Sequence, residues 1–522
     1  MGSIGTSLTT AGNGPGSNAS NDDSDTGAGT AGTGNDDDAP KFDLGNAPGS
    51  DAGGPAPPII PATCDEAQAG VSTVGCLFYG VDMDAHDSVE TSQFAIAVGN
   101  VQLAADATVS IETRNAGVWT TVAGPQVVTA LSLFTFPLPD RHADDTMLFA
   151  AGAYRVVSDV PIIAYQFNPV DGSSSFLSDA SMLFPVPSLD TLNHVIAWTS
   201  MMDNTGGFQH SYATVVATAD GTMVTVTPAA ATAAGAGVPA GAPGAPFVIA
   251  MQDGDVLDIA AASLGTSMTG TRIESNDGHP VAVFAGQECA LIPAAVCCCD
   301  HLEEQIAGLR QWGTHFIAAR MPVRNPGSPE ATLWQIYASE AGTTVNIDAS
   351  PSVTGIPAAQ FVLNAGEVRE MYVTGPAGDE GDFHITADKP INVLGYMVGS
   401  ENMPAPYMTT GDPAAVQLSP VEQFLPRYVV LVPGTWINDV AVLTRQTGAM
   451  LTIDGVAADD TAFRPIAGSD YEVARIPVGD GVHVFDGGDT PFGVVIVGYD
   501  EWDSYAYLGG TGTGKINPNP AG

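Results

Sequence analysis

Apolar and polar residues alternate along most of the chain from Cys64 onwards, and Gly, Asp and Pro mark the interruptions. The alternation is clear in Phe94-Ala-Ile-Ala-Val98, Thr108-Val-Ser-Ile-Glu112 and Tyr212-Ala-Thr-Val-Val-Ala217. Successive side chains of a strand point to opposite faces, so a period of two predicts short β-strands. The best helical candidate is Asp300 to Leu309, with two or three turns. The sequence therefore predicts an all-β body.

A longer pattern recurs four times in this body, at intervals of about 100 to 120 residues, which is the size of a whole β-domain. Each copy has an opening strand, a turn that contains glycine, and a proline that leads an apolar strand. The opening strands begin at Thr108, Met223, Thr344 and Met450; the turns contain Gly152, Gly254, Gly366 and Gly481; the prolines are Pro161, Pro280, Pro390 and Pro491. Proline is tolerated at the first position of a strand, and glycine supplies the positive φ of a tight turn.

We therefore predict four tandem repeats with the approximate bounds 77–190, 191–312, 313–424 and 425–517. Each repeat would form a small β-sandwich-like module. A β-propeller is the alternative, because about two dozen strands could also be arranged as blades of four. Strand spacing alone does not decide between the two architectures.

The first 61 residues differ from the rest because they contain hardly any large apolar side chains. Gly, Ala, Ser, Thr, Asn, Asp and Pro dominate this stretch. Such a segment buries too little apolar surface to offset the entropy lost on ordering, so we expect a disordered acidic tether over 1–61 and a folded body over 62–517. The first residues lack the charged and apolar parts of a secretion signal. We expect a lipid anchor upstream of Met1, because a tether before a compact body suits an anchored surface protein.

The net charge of −43 restricts the partners of the protein. A polyanion of this kind repels nucleic acids and anionic membrane surfaces, so we expect no nucleic-acid partner. No apolar run is long enough to cross a bilayer, so we expect no transmembrane helix. The carboxylates are interpreted either as a solubilising exterior or as clusters that hold divalent cations.

One acidic stretch, Val81-Asp-Met-Asp-Ala-His-Asp-Ser-Val-Glu90, is the candidate for such a cluster. Its candidate calcium ligands are Asp82, Asp84, Asp87 and Glu90. The glycine and the 12-residue register of an EF-hand loop are missing, so a solvated acidic turn is the competing interpretation. Calcium is the one cofactor that the sequence suggests.

Six cysteines form an even set, which favours disulfides in an oxidising compartment and hence an extracellular or outer-surface location. They are Cys64, Cys76, Cys289, Cys297, Cys298 and Cys299. Cys64 and Cys76 enclose a small loop and are predicted to pair. One of the three consecutive cysteines can reach Cys289. Metal binding with His301 as a further ligand is the alternative, although the spacing matches no common C-x-x-C zinc pattern.

Motifs for catalysis are not found. His301, Glu303 and Glu304 lack the second histidine that would complete an H-E-x-x-H helix, and we expect Asp300 to cap a helix instead. A nucleophile elbow, a P-loop and a dinucleotide-binding motif are also missing. A pair of carboxylates for polysaccharide hydrolysis stays open, because distances in space are not visible in a sequence. We predict no catalytic residues and no enzyme.

Four stretches of the chain form a recognisable set of motifs. They are Gly286-x-x-Cys289 leading to Cys299-Asp300-His301-Leu302-x-Glu304-Gln305 and Trp312-Gly313; Gly75-Cys76-Leu-Phe-Tyr79 with Val81-Asp82; Pro161-Ile-Ile-Ala-Tyr-Gln-Phe-Asn168; and Ser504-Tyr-Ala-Tyr-Leu-Gly-Gly510. Together they resemble a known family, the N-terminal domain of IgGFc-binding protein, and the resemblance spans about Cys64 to Asn517. It implies a secreted binding module, similar to bacterial extracellular members of the family, and it does not imply antibody binding by this chain.

These observations together predict an extracellular, non-enzymatic adhesion or binding module on a flexible tether. Its ligand would be a protein or a glycan, bound through loops at one edge of the β-modules. An extracellular polysaccharide hydrolase and a self-assembling structural surface protein are the alternatives.

Overall fold

Strands form nearly all the regular structure of the residues that this computed structural model describes, which are 60–170, 177–294 and 296–520. A short helix, α1 (Cys64–Ala69), precedes them, and the Thr63 hydroxyl and the Glu66 side chain cap its first turn reciprocally. In these residues no helix is both long and apolar enough to cross a bilayer. The prediction of an all-β fold is confirmed. Most of the predicted tether, residues 1–59, lies outside the described residues.

The strands are described as four consecutive segments. The first has β1 (Gly75–Gly80), β2 (Ala95–Asn100), β3 (Ala107–Asn115), β4 (Val118–Val128), β5 (Leu133–Pro137), β6 (Met147–Phe149), β7 (Tyr154–Asn168) and β8 (Asp179–Met182). The second has β9 (Leu192–His194), β10 (Met201–Met202), β11 (Phe208–Gln209), β12 (Ser211–Ala217), β13 (Thr222–Thr227), β14 (Phe247–Met251), β15 (Val256–Ala260), β16 (Arg272–Ser275), β17 (Val281–Ala290) and β18 (Asp300–Gln305).

The third segment has β19 (Gly313–Ala318), β20 (Thr332–Ala338), β21 (Thr343–Ala349), β22 (Gln360–Leu363), β23 (Glu367–Val373), β24 (Phe383–Tyr396) and β25 (Ala415–Gln417). The fourth has β26 (Arg427–Val432), β27 (Asn438–Gln446), β28 (Thr452–Ile453), β29 (Val456–Ala457), β30 (Arg464–Pro465), β31 (Tyr471–Pro477), β32 (Gly481–Asp486), β33 (Phe492–Tyr499) and β34 (Ser504–Leu508).

The first and third segments pair their strands in the same order. The first forms a sheet with the order β4-β3-β7-β2-β5, and β1 and β8 also pair with β7. The third forms β22-β21-β24-β20-β23, and β19 and β25 also pair with β24. In the second and fourth segments the long strand is interrupted, as β16 and β17 and as β32 and β33, so its pairing is divided between two sheets with equivalent neighbours. The second segment also holds the two-stranded sheet β10-β11, and β6 of the first segment joins one of its larger sheets. The number and bounds of the repeats stay predictions, and this recurrent pairing is consistent with them.

The long strand of each segment changes its partners at the proline. In β7, the residues before Pro161 pair with β3 and those after it pair with β2 and β8. Pro161 and Pro390 therefore lie within a long strand rather than at its first position, whereas Pro280 and Pro491 directly precede β17 and β33. Since proline has no N–H to donate, it fits the place where the ladder changes partners.

Four short strands, β8, β18, β25 and β34, meet at the centre of the four segments. Each pairs with the long strand of its own segment. They also contact one another in a closed series, β8 with β18, β18 with β25, β25 with β34, and β34 with β8. We call this group of four strands the hub. The ends of the body meet as well, because Thr73 donates its N–H to the Thr511 carbonyl and Thr513 donates to that of Val71.

The helix predicted at Asp300 to Leu309 is wrong. Asp300–Gln305 is the hub strand β18, which pairs with β17, and its six residues are all buried. Polar residues on both faces hid the strand alternation, and the preference of Glu and Gln for helices is overridden by tertiary contacts. Asp300 consequently caps no helix.

Candidate functional site

The carboxylate of Asp179 lies where the four hub strands meet. Its Oδ1 accepts N–H groups from Ala180 at 2.9 Å and Ala506 at 3.4 Å. Its Oδ2 accepts those of Glu303 at 3.2 Å and Ala415 at 3.5 Å. One side chain thus receives a backbone donor from each hub strand. Burial raises the pKa of Asp179, and these four N–H donors oppose the rise because they favour the charged form.

Other carboxyl groups surround Asp179 inside the protein. Asp300 is fully buried, and neither of its carboxylate oxygens has a hydrogen-bond partner in the described residues. Burial, and then the charges of Asp503 and Asp412, raise the pKa of Asp300. Burial also raises the pKa of Asp412 to about 7. Charged carboxylates are costly in this environment unless hydrogen bonds compensate them, as they do at Asp179.

Partners for the rest of these side chains come from neighbouring loops and strands. Glu303 accepts a hydrogen bond from Gln166 Nε2 at 2.8 Å, and burial raises its pKa. Asp503 accepts one from the Ser178 hydroxyl at 2.8 Å. His301 is fully buried, and burial lowers its pKa to about 3, so the ring is neutral. The hub is therefore a sealed structural centre rather than a catalytic cleft.

Four loops lead from the long strands into the hub strands. They are residues 169–178, 291–299, 397–414 and 500–503, and positions 171–176 of the first and 295 of the second lie outside the described residues. The loops contact one another. Gly399 donates its N–H to Ile292 O at 2.7 Å, and Trp502 donates to Thr409 O at 2.9 Å. We call the surface formed by these loops the loop end.

The loop end exposes apolar side chains. In the third loop Pro404, Ala405 and Pro406 are exposed, and Met408 is 41% exposed. Trp502, whose backbone bonds to the residue after Met408, is 36% exposed. Glu401 and Glu501 are exposed beside them. Exposed Trp and Met side chains near acidic groups are typical of a surface that binds another molecule.

Disulfides are present, as the sequence predicts. Cys64 pairs with Cys76, which ties α1 to β1 with a Cα–Cα distance of 5.7 Å. Cys289 pairs with Cys299, so the third of the consecutive cysteines closes the loop between β17 and β18. The adjacent Cys297 and Cys298 pair with each other, half-buried at the loop end. Their sulfur atoms lie near Glu401 of the neighbouring loop.

The four calcium candidates do not surround one point. Asp82 is buried and accepts the Arg141 N–H at 2.9 Å, and burial raises its pKa to about 7. Asp87 is exposed, and Glu90 is half-buried with its Oε2 3.8 Å from the ring of a histidine. Asp84 has two other carboxylates within 4.8 Å, but neither belongs to the predicted set. Calcium binding by all four stays a prediction.

Two acidic residues line an open depression of about 550 Å³ in the described part of the chain. They are Asp190 and Asp277, and Arg310 and Lys515 also border it. The Asp190 side chain is 4% exposed and forms an ion pair with Arg310. It also accepts the Arg310 backbone N–H at 3.1 Å, so it is engaged in structure rather than free for acid or base chemistry.

A family model described as "IgGFc binding protein" matches residues 179–498. The chain belongs to this family. The matched region begins at the hub residue Asp179 and includes β18 and β25. A human relative named "IgGFc-binding protein" is 27% identical over 278 residues, which are 51% of this chain and 5% of the relative. The chain thus spans about one twentieth of that relative. The family is named for binding, which suggests a non-enzymatic binding module.

Several large aromatic residues of the strands lie in the core rather than at the loop end. Tyr165, Trp334 and Tyr396 are fully buried. Tyr505 and Tyr507 are also buried, and their hydroxyls donate to Asp439 and to the Leu431 carbonyl at 2.6 Å. Sequence reasoning missed Asp179 and Met408. An Asp that precedes or begins the hub strand in each segment is a signal that could have revealed the acidic centre.

Proposed function

We propose that the chain is an extracellular, non-enzymatic binding module that binds a protein ligand through its loop end. The observation that carries the proposal is the exposed apolar run from Pro404 to Met408 beside Trp502. Residues of these types supply much of the energy of protein–protein interfaces, because they bury a large area at a small entropic cost.

The hub supports this role because it holds together the strands into which the loops lead. Asp179 accepts a backbone N–H from each of these four strands, so the ends of the loops are anchored on one centre. Binding residues are commonly carried on loops that a rigid scaffold positions. A preorganised surface loses less entropy when it binds.

A protein is favoured over a glycan by the name of the relative, which refers to an antibody fragment. The match covers only a small part of that relative, so we assign no specific ligand. Glu401 and Glu501 border the apolar run, and the net charge is −43. We therefore expect a ligand with a basic rim around an apolar centre.

Location outside the cell is supported by the three disulfides, which persist in oxidising compartments. In this proposal residues 1–61 act as a tether and a lipid upstream of Met1 anchors it. A non-enzymatic role is supported by the burial of the hub carboxylates, because sugar hydrolysis needs two carboxylates on either side of an accessible substrate.

The test is an array of purified proteins and glycans probed with the whole chain. The double variant Met408→Ser/Trp502→Ala removes the apolar centre of the loop end. Met450→Ser is the matched control, because Met450 is 82% exposed and lies far from the loop end. Strand β27 begins at Asn438 and ends at Gln446, about 26 Å away, and Met450 follows that distant end. Asn438 pairs with Tyr499 next to the loop end.

We expect some proteins on the array to bind the wild type and the control, and to bind both at least about tenfold more tightly than they bind the double variant. Binding to glycans alone would overturn the choice of ligand class. Equal binding by the double variant and the control would overturn the choice of surface.

A further inference from the structure

Two groups of metal-ligating side chains overlap where the first and second segments meet. Asp145, His210 and Glu288 each place a ligand atom within 4.8 Å of the other two. Asp84, Asp144 and Asp145 do the same, so Asp145 belongs to both groups. The ligands come from the residues after β1, before β6 and before β12, and from β17. None of them lies in the hub or the loop end.

The two inner carboxylates of this cluster are buried together. Asp84 is 4% exposed and Glu288 is 6% exposed. Their side chains approach each other closely enough to share a hydrogen bond. Two buried carboxylates in contact need a shared proton or a cation, because their mutual repulsion is strong away from water.

A third buried carboxylate adds to the negative charge. Asp258 is fully buried, and its Oδ2 has no hydrogen-bond partner among the described residues. Its Oδ1 accepts the Ile259 N–H at 2.7 Å. Asp258 lies close to Asp84, Asp145 and Glu288. A buried carboxylate oxygen without a partner beside this cluster adds to the need for a compensating proton or cation.

The tautomer of His210 is also consistent with a bound cation. Its Nδ1 lies 2.9 Å from the carbonyl oxygen of Ala261, and since a carbonyl only accepts, Nδ1 carries a hydrogen. The neutral ring then has its lone pair on Nε2, which lies 3.4 Å from Asp145 Oδ1. Two facing acceptors at this distance are satisfied either by a proton on Nε2 or by a cation between them. A histidine that ligates a metal typically donates its other N–H to a backbone carbonyl in this way.

We propose that Asp145, His210 and Glu288 bind one divalent cation, with Asp84 and Asp144 as further carboxylates beside Asp145. The set combines oxygen and imidazole ligands, which suits Mn²⁺ or Zn²⁺ better than Ca²⁺, whose ligands are oxygens. The cation links the first segment to the second. It therefore stabilises the contact between them in addition to neutralising the buried charges.

The experiment is calorimetric titration of the whole chain with Mn²⁺, Zn²⁺ and Ca²⁺ after dialysis against a chelator. Asp145→Asn and His210→Gln each remove one ligand; the Asp145 side chain is 67% exposed, so its variant is expected to fold. Asp489→Asn, at another exposed aspartate, is the control. We expect Mn²⁺ or Zn²⁺ to bind the wild type and the control, with a Kd at least about tenfold higher for both ligand variants.

Thermal unfolding gives an independent readout. The midpoint should rise when the cation is added to the wild type and should not move in Asp145→Asn. A shared proton instead of a cation predicts no binding of any of the three ions and no change of midpoint with chelator, and that result would overturn the proposal. Binding that is unchanged in both ligand variants would also overturn it.

Discussion

Replacement of Asp179 by asparagine tests the hub most sharply. An amide keeps one oxygen, so it can accept from two of the four backbone N–H groups, and its own NH₂ then faces the other two. The hydrogen bonds from Ala180 and Glu303 are 2.9 and 3.2 Å long, and those from Ala506 and Ala415 are 3.4 and 3.5 Å. The last two are longer than usual and so weaker.

The expected loss of stability follows from these contacts. One good and one long hydrogen bond to a charged group disappear, and two buried N–H groups lose their acceptor. A hydrogen bond of good geometry to a charged group contributes roughly 1.5–3 kcal/mol, and a long one contributes less. Asp179→Asn should therefore lower the free energy of unfolding by about 3–4 kcal/mol. This is a large fraction of the usual stability of roughly 5–15 kcal/mol.

Asp300→Asn is the matched control. Asp300 is as deeply buried as Asp179, and its pKa is also raised, but its oxygens have no partner in the described residues. We expect this variant to be neutral or stabilising, because a buried carboxyl group without hydrogen-bond partners is replaced by a neutral amide of the same size. Urea unfolding with tryptophan fluorescence measures both variants, with the disulfides intact. Equal effects of the two substitutions would refute the role given to Asp179.

Two further predictions concern the whole body. Burial raises the pKa of Asp412 to about 7 and that of Asp439 to about 6, whereas it lowers that of His301 to about 3. Among the described residues, buried carboxyl groups with a raised pKa outnumber buried histidines with a lowered pKa, so the folded state holds more protons than the unfolded state, and its stability should fall as pH rises from about 4 through 7. Thermal midpoints in chelator should be lower at pH 8 than at pH 5 by on the order of 5 °C, and a higher midpoint at pH 8 would contradict this assignment. Cys64→Ser/Cys76→Ser opens a crosslink with a sequence separation of 12 and should cost about 3 kcal/mol, whereas Cys297→Ser/Cys298→Ser, at a separation of 1, should cost about 1 kcal/mol or less. Urea unfolding midpoints of the two double variants measure this difference, and a larger loss of stability in Cys297→Ser/Cys298→Ser would contradict the estimate.

The sequence predicted the strands well where one face is buried and the other is not. The pattern at Thr108, Met223 and Thr344 corresponds to β3, β13 and β21, whose burial alternates along the strand. The sequence did not reveal the strand at Asp300–Gln305, because a strand buried on every side shows no alternation of apolar and polar residues. At Met450 the strand is reduced to Thr452–Ile453.

The candidate sites were only partly predictable, because they join residues far apart along the chain. The motif around Asp300 was recognised, but its neighbours Asp179, Asp412 and Asp503 come from other segments. Asp84 was identified as a candidate ligand, whereas His210 and Glu288 reach it through the contact between two segments. Spacing within a sequence carries no signal for such contacts; they follow from the pairing of the strands.

Hydrogen–deuterium exchange of the wild type and Asp179→Asn tests directly whether one carboxylate holds the hub together. The account predicts that the amides of Glu303, Ala415 and Ala506 are among the slowest to exchange in the wild type. In the variant all three should exchange faster together, although they belong to three different segments. Faster exchange confined to the strand that contains residue 179 would contradict it.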